Sequence, residues 1–208
     1  MLSIIAGMLI SMSCMIYLKV GGVIGALLFS VGLLTICHFK LELFTGKAGL
    51  LATSEIKPLK LCDVWCGNLL GSVFMTSLMM PTELGKTIIG PAAAIAQTRL
   101  ENLFIINLLL GIYCGVLMYI AVSVYETKPW MTSMCVAIFI LAGTNHCIAD
   151  MTYFSLVFMP PIGLPLLWAL LWTTLGNIIG TNLIPLCRLL PHHLRTLLLR
   201  KRPKSQSD

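Results

Sequence analysis

Charge is what this chain has least of. Of 208 residues only 14 are Lys or Arg and 8 are Asp or Glu, against 58% hydrophobic residues and a mean hydropathy of +0.93. So little polar surface excludes an ordinary soluble domain and points to an all-α polytopic membrane protein. Also missing are a CxxC pair, an HExxH pair and a basic region ahead of the first apolar run. Without the first, eight cysteines set mostly in apolar segments read as small core residues and not as a disulfide framework. Without the second, the usual helical zinc-hydrolase pattern is gone, although His146 and Asp150 at i, i+4, with Cys147 or His38, remain open as ligands of an intramembrane metal enzyme. Without the third, and with no A-x-A-like cleavage site, residues 2–17 do not read as a signal peptide.

What is present is enough apolar sequence for about six spans of ~20 residues. These fall near 2–18, 23–53, 64–80, 103–124, 131–159 and 164–186, and leave no room for a separate soluble domain. The expected organisation is one transmembrane domain over 1–187, with halves at about 1–81 and 100–187, then a basic tail over 188–208. Two spans are interrupted. CHFKLELFTGK (37–47) puts His38, Lys40, Glu42 and Lys47 into the second, which a membrane tolerates only where the chain folds back, pairs or lines water. AGTNHCIAD (142–150) interrupts the fifth, and His146 with Asp150 one turn later is the deepest ionisable pair, a transport site by default. The connector 82–99, with its small-residue run GPAAAIAQ, is expected as a short re-entrant or interfacial helix over a pore mouth.

An internal repeat organises the halves. GNLLGS (67–72) in the third span is matched by GNIIGT (176–181) in the sixth, and each follows an interrupted span. Three spans per half force opposite orientations, so the expected architecture is a 3+3 inverted repeat with broken second and fifth spans and a site between the breaks. The glycines permit close helix packing, and each asparagine is placed to satisfy backbone groups freed by a break. Arg188, Arg195, Arg200, Lys201, Arg202 and Lys204 hold the tail in the cytoplasm, and six spans then put the N-terminus there too. A nucleic-acid role for that basic run is excluded by its place beside the last span.

The residues also carry a resemblance. GALLFSVGLLTICHFKLELFTGK (25–47), WCGNLLGS (65–72), LGIYCGVLMYIAV (110–122), AGTNHCIADM (142–151) and LGNIIGT (175–181), in this order over nearly the whole chain, resemble the formate/nitrite transporter family. The resemblance implies a homopentamer of aquaporin-like protomers in the inner (plasma) membrane. Each protomer would have its own pore for small monovalent anions such as formate, nitrite or hydrosulfide, or their conjugate acids, without catalysis, metal or cofactor. Carried over position by position, it makes His146 the central pore histidine and Thr45 the threonine of the loop that breaks the second span, with Asn145 beside them in the pathway. Phe29, Leu33, Phe44 and Phe139 fall at the apolar constrictions, and Arg99 falls at the vestibule cation, where it would concentrate anions.

Several residues depart from the family pattern. Gly115 stands where an asparagine commonly holds the histidine, His38 and Lys40 replace small or apolar residues, and Lys47 replaces a small polar one. Lys40 is expected to pair with Glu42 or to reach toward the cytoplasm. The short N-terminus implies a channel without the gating helix that some members use. Elementary physics supports the assignment independently. A bare anion in an apolar slit is costly and its conjugate acid much less so, and histidine, with an unperturbed pKa of ~6.5, suits the proton exchange. Asp150 is expected to bond to protein and not to substrate. The competing class is a neutral-solute channel of the same architecture, for ammonia, hydrogen sulfide or water.

Overall fold

A computed structural model describes residues 1–158 and 163–189. Among the described residues the chain forms nine α-helices: α1 Leu2–Val20, α2 Gly22–His38, α3 Phe44–Ala48, α4 Pro58–Met79, α5 Glu83–Glu101, α6 Phe104–Val124, α7 Pro129–Leu141, α8 Cys147–Val157 and α9 Leu164–Leu189. Four of them, α1, α4, α6 and α9, are long and apolar enough to cross a membrane, while α2, α7 and α8 are shorter apolar helices. Exposed large hydrophobic side chains cover the outside, Val23, Ile24 and Val31 on α2, Leu70, Phe74 and Leu78 on α4, and Leu167, Trp168 and Leu171 on α9 among them. An apolar exterior of this extent is stable facing lipid or another subunit, not water.

Glycines set the closest packing. A Cβ on Gly67 or Gly71 of α4 would run into Ser3 or Ile4 of α1, and one on Gly176 or Gly180 of α9 would run into the α6 backbone at Leu108 or Ile112. The two GNxxG segments therefore bring α4 against α1 and α9 against α6, as small-residue interfaces do in membranes. Between them α8 is the innermost helix, buried from Cys147 to Leu156, with Thr152 hydrogen-bonded to Ser11 of α1 at 2.8 Å.

Both interruptions exist, and their hydrogen bonding is the same. α2 ends with Leu41 N–H on Ile36 O and Lys40 N–H on Cys37 O, and α7 ends with Thr144 N–H on Phe139 O and Gly143 N–H on Ile140 O. These are two Schellman endings, each with its next-to-last residue in the left-handed region, Lys40 at φ 52° and Gly143 at φ 67°. The restart is shared as well. Asn68 Oδ1 accepts the first N–H of α3, from Phe44 at 2.8 Å, and its Nδ2 donates to the Ser3 and Glu42 carbonyls. Asn177 Oδ1 accepts the first N–H of α8, from Cys147 at 2.9 Å, and its Nδ2 donates to the Gly111 and Asn145 carbonyls. Each asparagine thus replaces the partners that a broken helix loses, so that backbone is left satisfied at membrane depth.

Three expectations are corrected. The connector is not a short re-entrant piece but the 19-residue α5, because its alanines favour helix and Ile88, Ala92 and Ala96 bury one face of it. The third span starts earlier than expected, at Pro58, which suits the first turn of α4. Glu42 pairs with Lys60 at 3.2 Å and not with Lys40, whose backbone is in the left-handed region at φ 52°. Beyond Arg188 the basic residues of the tail lie outside the described residues, as does the 159–162 turn.

Candidate functional site

His146 caps α8. Its backbone is extended and its Nδ1 accepts the N–H of Ala149 at 3.2 Å, the position usually taken by the oxygen of a Ser, Thr or Asp N-cap. With Nδ1 occupied as an acceptor, the proton of the neutral ring sits on Nε2. That nitrogen lies 2.9 Å from Thr45 Oγ1, in the first turn of α3. The two broken segments, 101 residues apart in sequence, therefore meet at one hydrogen bond. Since Thr45 Oγ1 accepts from the ring, its own O–H proton is left to donate to something else.

Aromatic rings stand above this contact. Phe139 stacks on the His146 ring, with centroids 5.7 Å apart and planes 14° from parallel, and Phe29 meets Phe139 edge to face at 6.0 Å. Phe29, Leu33 and Phe139 are all buried. A cavity of about 220 Å³ lies on the α5 side and is lined by Phe139, His146, Arg99, Asp150, Thr144 and Tyr153 among others. A larger one, of about 540 Å³, lies on the side of the α6–α7 turn and is lined by Leu33, Leu43, Lys40, Lys47 and Glu126 among others. His146 belongs to the wall of the first cavity and Leu33 to that of the second.

Arg99, expected as the vestibule cation, lines the smaller cavity but is paired with an acid there. Its Nε lies 3.4 Å from Asp150 Oδ1, and its Nη2 donates to the carbonyls of Thr144 at 3.1 Å and Gly143 at 3.4 Å. Both side chains are buried, so the pair is an internal clamp from α5 across the α7–α8 break onto the first turn of α8. Asp150 therefore bonds to protein, through a residue far away in sequence. Among the described residues no three His, Cys, Asp or Glu side chains gather as a metal-ligand set.

Two of the named residues are placed differently from the rest. Asn145 is fully buried, but it turns toward α6 and α9, donating to Asn107 Oδ1 at 2.9 Å and Thr173 Oγ1 at 3.4 Å, and it is not among the residues that line either cavity. Phe44 is buried yet lines an apolar groove between α4 and α9 with Trp65, Leu170 and Thr174, and its neighbour Leu43 lines the larger cavity instead. One residue along a chain that is just re-entering a helix swings the side chain by about 100°. Leu43 was thus overlooked, as was Asn107, whose side chain joins Asn145 to the Arg99 carbonyl. Asn182 was overlooked too. It closes the far end of α3 by donating to Ala48 O and accepting from Ala52 N–H.

The sequence model for the formate/nitrite transporter family matches residues 1–189. The chain belongs to the formate/nitrite transporter family. It is similar to the formate channel FocA of Haemophilus influenzae, 24% identical over 163 residues that cover 68% of this chain and 54% of that protein. It is similar also to the nitrite transporter NirC of Salmonella typhimurium, 27% identical over 183 residues that cover 74% of this chain and 66% of that protein. The chain thus spans between half and two thirds of the length of these curated relatives. Its fold matches that of a pentameric formate channel with formate bound, with TM-score 0.74 and 24% identity, covering 96% of this chain and 95% of the other. It also matches an ion channel of the same family, with TM-score 0.72 and 23% identity, covering 88% and 84%. Membership in this family, together with the apolar helices, makes it a multi-pass helical membrane protein.

One departure from the family pattern now has a physical reason. Gly115 faces α9, where an added Cβ would lie 2.5 Å from Asn177 O and 2.9 Å from Gly180 Cα. No side chain fits there while α6 and α9 pack this closely. Control of the His146 tautomer comes from the Ala149 N–H in its own helix.

Proposed function

We propose that this member of the formate/nitrite transporter family is a channel for small monovalent anions of weak acids, formate or nitrite among them, and that these pass the His146–Thr45 contact. The observation that carries the proposal is that contact, 2.9 Å long, joining the two helix breaks at the wall of a cavity that His146 lines. An anion arriving there would meet the freed O–H of Thr45 and, on displacing the threonine oxygen, the Nε2–H of His146, inside a wall of Phe29, Phe139 and Leu33. The apolar wall makes a bare charge expensive, and the donors lower that cost by hydrogen bonding; proton transfer to the anion would require the ring first to take up a second proton at Nδ1, giving up its bond from the Ala149 N–H. The likeness to proteins named as a formate channel and a nitrite transporter supports the same substrate class.

In this reading α1, α2–α3, α4, α6, α7–α8 and α9 are six spans of an aquaporin-like 3+3 inverted repeat, one domain over 1–187, with both termini in the cytoplasm and the protein in the plasma membrane. The shared hydrogen bonds of Asn68 and Asn177 support the repeat. A homopentamer is proposed from the likeness to a pentameric channel and from the apolar exterior. Substituting His146→Phe in proteoliposomes is expected to abolish pH-dependent formate uptake, and uptake at the wild-type rate would remove His146 from the mechanism.

A second reading is favoured by one observation. Arg99 is balanced by Asp150, so the smaller cavity offers no net positive charge to an arriving anion. That suits passage of a neutral molecule on this side, either the conjugate acid or a solute such as ammonia or hydrogen sulfide.

A further inference from the structure

The larger cavity carries the charge that the smaller one cancels. We propose that Lys40 and Lys47 form an anion-collecting site at the mouth of the larger cavity, binding small monovalent anions of the carboxylate or oxyanion class before they reach Leu33 and Leu43. The inference rests on the anion reading above.

Two independent observations carry it. The first is electrostatic. Both lysines line the cavity of about 540 Å³, and neither ammonium has an ion-pair or hydrogen-bond partner among the described residues. Glu42, the acid nearest to Lys40 in sequence, is engaged by Lys60. Glu126 is the one acidic residue on the cavity wall, so the two lysines leave it with a positive excess. Arg99, on the other cavity, has that excess removed by Asp150 at 3.4 Å.

The second observation is conformational. Lys40 occupies the left-handed position of the Schellman ending of α2, at φ 52°. The equivalent position at the end of α7 is Gly143. Glycine adopts this conformation freely, whereas a residue with a Cβ is strained there. Strain retained at such a position is a sign of function, because the cheaper residue is available and is used at the sister site. Lys40 is exposed and lines the cavity. A lysine ammonium is a compact, strongly hydrated charge, suited to holding an anion loosely and releasing it inward. Two such charges over low-dielectric walls raise the local anion concentration, and the effect fades as salt shortens the screening length.

Formate uptake at low substrate concentration into proteoliposomes should fall roughly tenfold in Lys40→Gln/Lys47→Gln at about 10 mM salt, where focusing is strongest, and lose most of its salt dependence. Glu126→Gln should increase both the rate and its salt dependence. Lys40→Gly should lose the collecting effect while raising the thermal unfolding midpoint, which separates charge from structure. Wild-type rates and salt dependence in the double lysine variant would overturn the proposal. Binding is read separately from the line broadening of carbon-13 formate by detergent-solubilised protein, which should be strong in the wild type and weak in the double variant. Equal broadening in both would also overturn it. Broadening that depends on the lysines, in a protein that passes no formate, would support the site and sink the transport reading alone.

Discussion

His146 uses the two faces of one ring for different ends. Nδ1 closes the first turn of α8, and this leaves Nε2–H aimed at Thr45. Replacing Thr45 by Val keeps its shape but removes its hydroxyl donor, so formate flux should drop about two- to thirteenfold, as loss of a net ~0.5–1.5 kcal/mol hydrogen bond implies. Thr45→Ser should restore it, and stopped-flow uptake distinguishes the pair. Arg99 and Asp150 make a different case. They are buried together, so Asp150→Ala strands the guanidinium and should cost about 3–5 kcal/mol, read as a lower midpoint in detergent unfolding. Arg99→Met combined with Asp150→Leu should recover most of that loss. His146 and Thr45 were legible in the sequence because polar residues in an apolar span stand out. The facing of Phe44 and Asn145 was not legible, since at a helix break it depends on where the helix resumes, and hydrophobicity is silent on that point. The pairing of Arg99 with Asp150 leaves no mark in the sequence, because 51 residues separate them.

At the scale of elements, the two breaks are held open by two asparagines. Asn68→Ala would leave the Phe44 N–H and the Ser3 and Glu42 carbonyls without their partner, and Asn177→Ala would do the same at Cys147, Gly111 and Asn145. Each stranded buried group costs about 1–3 kcal/mol, so both variants should be strongly destabilised. Trypsin sensitivity of the folded protein in membranes measures the effect, and wild-type resistance in both variants would contradict this role. The breaks and the GNxxG segments were visible in the sequence because glycine and asparagine are conspicuous among aliphatic residues. The length of α5 was not. Its composition of alanines with a few polar residues suits an interfacial piece as well as a packed helix, and only the burial of Ile88, Ala92 and Ala96 decides between them.

At the scale of the whole molecule, the two cavities are electrically unlike. One carries a cancelled ion pair and the other an excess of lysine, so this side should favour anions and the other neutral molecules. The exposed faces of α2, α4 and α9 leave much apolar surface for lipid or neighbouring copies. In mild detergent, native mass spectrometry should find an assembly of five 22.8 kDa chains, matching the pentameric fold relative, and a monomer under all mild conditions would contradict the proposed pentamer. The central claim is tested most directly by flux through reconstituted wild-type and His146→Phe protein, with formate, nitrite, ammonia, hydrogen sulfide and water across pH. The account predicts formate and nitrite uptake that depends on pH in the wild type and is lost in His146→Phe. Uptake of the neutral solutes alone, with no anion pathway at any pH, would contradict it.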